Sequence, residues 1–537
     1  MLLNQKELEN KSQWKNAGIH IPKFDRVSVT NQTKAAPTWL HLGPGNIFRA
    51  FPAMLMQKLL DAGQSDTGIV VAEGYDYEIV DIMKQQNDNL SLLVTLKTDG
   101  NIEKTVVGSI TESLKIAREA EEDYQRLVEI FENPSLQMVS FTITEKGYAL
   151  TDSRGNYGQQ ILADFSKGPQ LAESYVGKVA ALLHRRFLAE EMPLAFVSMD
   201  NMSHNGEVLH GAIQTFASKW EENGLVTPEF VAYVNNPEKV AFPWSMIDKI
   251  TPRPDENVAK ILREDGFEEV EYKITQKNTY TAAFVNAEET EYLVIEDTFP
   301  NGRPPLEKAG VIFTDRHIVN QVETMIVTNC LNHINTALAI FGCLLGYESI
   351  SEEMKNPLLQ KLAEKVGYQE GLPVVVDPGI INPKKFIDEV IGVRLPNPFI
   401  PDTPQRIATD TSQKLAIRFG KTIESYRDSD TYQVESLQAI PFVLAGWLRY
   451  LMGVDDTGKT FEKSSDPRME EVSAFVADIK LGDQNINRSA LEVLLKDKTI
   501  FGVDLTEVEM SEKVLDLFVS MIASEGAVEK TLARVVQ

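Results

Sequence analysis

Residues 37–60 read PTWLHLGPGNIFRAFPAMLMQKLL, a short apolar run that enters a glycine turn and leaves as an amphipathic helix. A chain with this order begins a strand, turns sharply and continues as a helix, which is how a dinucleotide-binding βα unit opens. Gly43 and Gly45 let the backbone turn and approach a pyrophosphate, and the amides of Asn46, Ile47 and Phe48 at the helix start are placed to donate to its oxygens. Phe48 stands where the usual fingerprint has its third glycine, so GPGNIF is a variant of the motif. An ordinary corner between strand and helix is the competing reading.

Strands and helices go on alternating through the first half. TGIVVAE (67–73) reads as a second parallel strand, with Glu73 or Asp76 placed to hold the adenosine ribose hydroxyls, although the spacing exceeds the usual ~20 residues. Either acid would repel a 2′-phosphate, so NAD is expected over NADP. LSLLVTLKTDG followed by KTVVGSITESL reads as a hairpin, and further strands fall within residues 136–148, 194–201 and 291–297. From about residue 314 the pattern turns helical, with apolar stripes and acidic faces. The Gly/Pro break NGRPPLEKAG (301–310) separates an α/β domain of Rossmann type over residues 1–305 from a mainly α-helical C-terminal domain over 306–537.

Composition narrows the partners. A net charge of −25 over 537 residues disfavours nucleic acid and anionic membrane surfaces, leaving a small-molecule substrate as the expectation. Cys330 and Cys343 are the two cysteines, both in an apolar helical segment, so neither a disulfide framework nor a cysteine zinc site is expected, and no metal. The polar start MLLNQKELENKSQW carries no export signal, and no apolar run reaches membrane-spanning length, which points to the cytoplasm. Nothing in the sequence speaks to oligomeric state.

Read in order, HLGPGNIFRAF (41–51), FTITEKGY (141–148), SMDNMSHNG (198–206), FPWSMIDKITP (242–252), YLVIEDTFPNGRPP (292–305), CLNHINTALAIFG (330–342) and LPNPFIPDTPQRIATDTSQK (395–414) form a series. The series resembles the mannitol dehydrogenase family, the polyol-specific long-chain dehydrogenases and reductases that include fructuronate and tagaturonate reductases. The resemblance runs over nearly the whole chain. It implies a Rossmann-type domain, a helical C-terminal domain, and a cleft in which NAD exchanges hydride with a sugar acid or polyol.

Reducing a ketone takes hydride delivery, donors for the developing oxyanion and an acid that protonates it. Asn201, directly after an apolar strand, offers an amide donor, with an Asx turn as the alternative. His204 reads as a surface loop residue. The resemblance gives Asp248 the role of an orienting carboxylate near the active site, against a helix cap on local sequence alone, and places Thr144 and Glu145 on a cofactor-side loop, with Lys146 a solvated neighbour.

Within VETMIVTNCLNHINTALAIFGCLLGY (322–347), family members carry a lysine as general acid/base, then an oxyanion-binding asparagine and a substrate-contacting histidine. Asn332 matches the asparagine and Asn335 occupies the histidine position, on the same helix face. The lysine is missing. Counting from Glu323 puts its place at Ile326, counting from Asn332 puts it at Val327, and no lysine occurs between Lys308 and Lys355. Three readings follow. The proton comes from Glu323 through water or from His333, although His333 points roughly 100° away from Asn332 on a regular helix. Alternatively the chain is a dinucleotide- or sugar-acid-binding paralogue with impaired turnover, or the helix is only core. Loss of a general acid forfeits ~10²–10⁴ in rate and not all of it, which keeps the enzyme reading in place. Finally, Arg394, Arg406 and Lys414 offer cations for an acidic substrate, since a guanidinium grips a carboxylate bidentately, or else they serve as surface ion-pair partners. Trp447 and Tyr450 read as core.

Overall fold

Trp39–Leu42 (β1) runs through the glycine turn into Asn46–Ala50 (α1) and Pro52–Asp61 (α2). Ile69–Glu73 (β2), Ile110–Lys115 (β3), Met138–Phe141 (β4), Tyr175–Glu190 (α3), Leu194–Ser198 (β5), Asn205–Glu222 (α4) and Val240–Ala241 (β6) follow. The six strands form one sheet in the order β3, β2, β1, β4, β5, β6, every neighbouring pair parallel. Every residue of β1, β2, β4 and β5 is buried, as parallel strands covered on both faces require. Leu40, Leu42, Val70, Ala72, Val139 and Phe141 join the core shared with α3 and α4, while Trp39, Ile69, Val71, Met138 and Val197 join the core shared with α1 and α2. The chain leaves β1 towards β2 and β3, then returns to the other side of β1 with β4. That reversal is the switch point outside whose carboxyl ends open α/β sheets bind ligands.

Two elements differ from the reading of the sequence. The single helix expected after the glycine turn is two, because Phe51 leaves the helical region (φ −124°, ψ −71°) just before Pro52. Proline has no N–H to continue the ladder, and its ring would strike the carbonyl of Phe48 in an unbroken helix. The second arm of the expected hairpin is likewise two strands. Ile102–Val107 pairs antiparallel with Ser91–Leu96 in a separate four-stranded sheet, and after Gly108 the chain crosses to the parallel sheet as β3. A third sheet joins Ser245–Asp248 (β7) antiparallel to Tyr292–Glu296 (β8), with Ile312–Thr314 (β9) parallel to β8.

These elements belong to a unit spanning Met1–Asn320, and Gln321–Gln537 form a second unit. The computed structural model describes residues 1–152, 154–483 and 485–537. The second unit is helical. Its central members are Asn332–Leu345 (α5), Ala439–Leu451 (α6) and Ser511–Ile522 (α7). All of α6 is buried, Trp447 and Tyr450 included, and a helix apolar all round is one enclosed by others. Four segments widen from α to π geometry: Met325–Cys330, Lys365–Gly371, Val390–Arg394 and Ala416–Gly420. In the first, Leu331 N donates to Ile326 O five residues back, at 3.0 Å. Such turns hold one residue more than an α-helix would and occur often at functional sites. Met325–Cys330 packs against both Lys365–Gly371 and Ala416–Gly420. Cys330 and Cys343 are buried free thiols whose pKa burial pushes up to about 12. Among the described residues no helix is long and apolar enough to cross a membrane.

Candidate active site

The glycine turn at the end of β1 is shaped on both sides. Gly43 has φ +104°, and a Cβ there would lie 2.3 Å from Thr142 O, so conformation and space both demand glycine. Around Gly45, which precedes α1, a Cβ would meet nothing within 4 Å, leaving the backbone open to a ligand. Beneath the turn, buried side chains form one directed chain. Trp39 Nε1 donates to Ser140 Oγ (2.7 Å), which pairs with His41 Nδ1 (2.6 Å), while His41 Nε2 pairs with Thr142 Oγ1 (2.9 Å). Thr142 Oγ1 donates to Gly43 O at 3.0 Å, so it accepts from His41, whose proton therefore sits on Nε2. Burial depresses the His41 pKa to about 3, and its ring stacks on Phe48 at 4.1 Å. The Phe48 side chain is thus committed to the interior. Asn46 Oδ1 accepts from Arg49 NH2 at 2.8 Å, which steadies the short helix, and Ile47 is partly buried beside it.

Glu73 closes β2, the strand beside β1. Its Oε1 accepts from the amides of Tyr75 (2.6 Å) and Asp76 (3.4 Å), and burial raises its pKa. Asp76 has another task. It accepts from Thr275 Oγ1 at 2.6 Å and so ties the turn to a small hairpin. Of the two acids proposed for the ribose, Glu73 is the one at the strand's carboxyl end. A close-approach glycine, an open glycine, a run of helix-start amides and a strand-end acid together fit a dinucleotide.

The loop after β4 is strained. Thr144 has φ +64° and ψ 160°, a region that is essentially glycine's own. Asp200 holds it there. Its carboxylate accepts from Ile143 N (2.9 Å), Thr144 N (2.9 Å) and Tyr148 Oη (2.6 Å), and burial raises its pKa. Thr144, Glu145 and Lys146 are themselves exposed. Sequence reading passed over Asp200 in favour of its neighbour Asn201, which is exposed and makes no side-chain hydrogen bond among the described residues. Asn205 ties the strand end together: its Nδ2 donates to Ser198 O (3.2 Å), Asp200 O (3.1 Å) and Ser245 O (2.9 Å). His204 is exposed and stacks on Trp244 at 4.3 Å. Asp248 is the buried last residue of β7, opposite Tyr292, and not a helix cap; Lys249 beside it pairs with Glu291 at 3.0 Å.

In the second unit Asn332 opens α5, one residue, Leu331, after a π turn. Its side-chain amide has no hydrogen-bond partner among the described residues, and its carbonyl accepts from Thr336 Oγ1 at 2.8 Å. Asn335, one turn on, has a buried Oδ1 without a partner. The π turn lies within the stretch over which the absent lysine's place falls on Ile326 or Val327. It holds one residue more than an α-helical turn would, and it lies between Glu323 and Asn332, the two ends from which that place is counted. Ile326 is buried and Val327 partly exposed. His333 is overturned as a proton source: it is fully buried, its Nε2 faces Val366 O at 3.3 Å, and burial lowers its pKa to about 3. Glu323 is partly exposed.

The three cations behave differently from one another. Arg394 is buried at the end of a π turn. Arg406 is exposed and pairs with Asp402, the surface ion pair of the alternative reading. Lys414 donates to the carbonyls of Ile407 (3.3 Å) and Thr409, and desolvation followed by the charge of Arg418 lowers its pKa. Arg418 itself, which the sequence reading missed, reaches Asn332 O at 3.5 Å.

Comparison with known proteins shows the family. The mannitol dehydrogenase Rossmann domain matches residues 37–308, and the mannitol dehydrogenase C-terminal domain matches residues 321–521. A D-mannonate oxidoreductase of Thermotoga maritima is 49% identical over 100% of this chain and 99% of its own length. A mannitol 2-dehydrogenase of Neosartorya fischeri is 29% identical over 99% of this chain and 98% of its own. Among solved structures, Pseudomonas fluorescens mannitol 2-dehydrogenase in ternary complex with NAD and D-mannitol superposes with a TM-score of 0.70 at 26% identity, covering 99% of both chains. A substrate-free D-sorbitol dehydrogenase gives 0.77 at 26% identity, over 96% of this chain and 98% of its own. With both domains matched in order and a full-length relative at this identity, the chain is an oxidoreductase of the mannitol dehydrogenase family.

Proposed function

We propose that this oxidoreductase uses NAD to interconvert a ketone and a secondary alcohol on an open-chain sugar acid of the mannonate and fructuronate kind. The observation that carries the reading is Asn332, an unpartnered amide presented on the first turn of α5 where a substrate carbonyl oxygen needs a donor. The relative named D-mannonate oxidoreductase supports a sugar acid over a neutral polyol.

When bound, the dinucleotide carries the hydride. Gly43 and Gly45 admit its pyrophosphate to the amides of Asn46, Ile47 and Phe48, and Glu73 takes the adenosine ribose hydroxyls. Glu73 also repels a 2′-phosphate, and nearby Lys178 is already engaged by Gly74 O and Tyr77 Oη, both at 2.9 Å. Asn332 Nδ2 polarises the substrate carbonyl and steadies the alkoxide. Ile326 and Val327 bring no proton, and Glu323 is the acid that this helix offers, working through water. Asn201, Asp248, Thr144 and Glu145 complete the proposed set in the first unit, and Asn335, Arg394 and Lys414 complete it in the second.

NADH absorbance recorded with D-mannonate and D-mannitol offered separately tests the substrate. Turnover is expected to favour D-mannonate, and a preference for D-mannitol would sink the sugar-acid reading. Glu323→Gln is expected to lower kcat by ~10²–10⁴ while leaving KM near wild type. A wild type that binds NADH yet turns over neither compound would instead establish the impaired paralogue.

A further inference from the structure

Arg186 is fully buried and Arg418 only partly so, and the two guanidinium groups are used differently. Arg186 is structural: Nε, NH1 and NH2 all donate to backbone carbonyls, those of Met192, Phe131, Asn133, Leu136 and Pro193. Arg418 is different. NH1 donates to Thr336 Oγ1 at 2.5 Å and reaches Asn332 O at 3.5 Å, which lays the guanidinium along the first turn of α5. Nε and NH2 make no hydrogen bond among the described residues, and neither belongs to the sealed interior atoms that lack partners. No carboxylate pairs with Arg418 among the described residues, although the chain carries 78 acidic residues against 53 lysines and arginines.

The side chain is also held in place. Arg418 lies in the π turn Ala416–Gly420, where a Cβ on Gly420 would come 2.2 Å from Phe501 O, so this turn is seated tightly on its neighbour. Burial lowers the Arg418 pKa to about 10, which still leaves it fully charged at neutral pH. Lys414, with its ammonium on backbone carbonyls, adds a second positive charge within electrostatic range. A fixed guanidinium with NH1 tethered and the edge formed by Nε and NH2 free presents two parallel N–H groups, the fork that matches a carboxylate.

We infer that Arg418 selects the acidic substrate, its Nε and NH2 gripping the carboxylate of the sugar acid side-on while Thr336 keeps NH1 in position. This rests on the sugar-acid reading above, and it assigns the discrimination against neutral polyols to one side chain.

Arg418→Met keeps most of the volume and removes the charge, Arg418→Lys keeps the charge and loses the fork, and Thr336→Val removes the tether. Steady-state kinetics on D-mannonate and D-mannitol, together with a thermal-shift titration of the cofactor-free protein with D-mannonate, read the effect. Arg418→Met is expected to raise KM for D-mannonate roughly ten- to a hundredfold, the range of a lost charge-assisted pair, with kcat within about threefold of wild type. D-mannitol turnover should hold or rise, and the D-mannonate-induced thermal shift should vanish. Arg418→Lys should recover part of the affinity. An unchanged KM for D-mannonate, or equal losses on both compounds, would overturn the assignment. If Arg418→Met fails to fold by circular dichroism, the other two variants decide, and wild-type KM for D-mannonate in both counts against it. A wild type that prefers D-mannitol brings down the sugar-acid reading as well, whereas a wild type that prefers D-mannonate and an Arg418→Met enzyme that keeps that preference bring down this inference alone.

Discussion

Glu353 is buried with neither carboxylate oxygen hydrogen-bonded, and it fills the space left by Gly342 on α5, where a Cβ would come 2.0 Å from Oε1. Burial holds its pKa well above the usual carboxylate value. A group raised in the folded state contributes stability that is fully present below its unfolded pKa of about 4.5 and is lost as pH rises towards the folded value. Glu353→Gln removes that dependence. Relative to wild type, the variant should gain stability from pH 5 upwards, by at most about 1.4 kcal/mol per pH unit, the limit for one proton. Urea unfolding at pH 4, 6 and 8 measures the gain, and a difference that stays flat with pH would show Glu353 to be ionised in the fold. His41 and His333 act in the opposite sense. Both are depressed to about 3, so what they contribute is present above the unfolded value near 6.5 and declines as pH falls below it.

Among the elements, the glycine turn and the loop after β4 face each other through Thr142, which touches the space of Gly43 and accepts from His41. Gly45→Val is expected to abolish NADH binding, seen by fluorescence titration, without lowering Tm, because its side chain would enter open space and not the core. Asp200→Ala frees the amides of Ile143 and Thr144 and should weaken NADH binding at least about tenfold, or 1.4 kcal/mol. Thr144→Gly, which tolerates φ +64° freely, should gain up to about 1 kcal/mol of stability and keep NADH affinity; a loss of stability would show that the side chain matters more than the strain. The glycines were legible in sequence because conformation and close approach both demand that residue type. Asp200 was not, since its role is to bond amides 56 and 57 residues away, a relation no local spacing encodes. The break before α2 was written in Pro52, but an apolar stripe continuing on both sides concealed it. The π turns were not read from the sequence, since no residue type records whether an amide bonds the carbonyl four or five residues back.

Across the whole molecule, an excess of 25 negative charges opposes the compact state by self-repulsion. Raising NaCl from low concentration to a few tenths molar should therefore raise Tm, and under the proposed carboxylate grip of Arg418 it should also raise KM for D-mannonate by screening. A Tm that falls with salt would mean that surface ion pairs outweigh the repulsion. The division into an α/β unit and a helical unit was readable from the change of period. Which cation would be buried was not, because Arg394, Arg406 and Arg418 look equivalent along the chain and packing alone encloses Arg394, leaves Arg406 exposed and seats Arg418 on Thr336. The widened turn at Met325–Cys330 bears on how relatives are compared. An aligned column ceases to be a place in space wherever one relative has the extra residue and another lacks it. A gap set one position early or late pairs a functional side chain with its neighbour, so an enzyme can be scored as having lost a catalytic group on the placement of a single blank. Within this helix, descent is better traced by superposing backbones on either side of the turn than by counting letters through it.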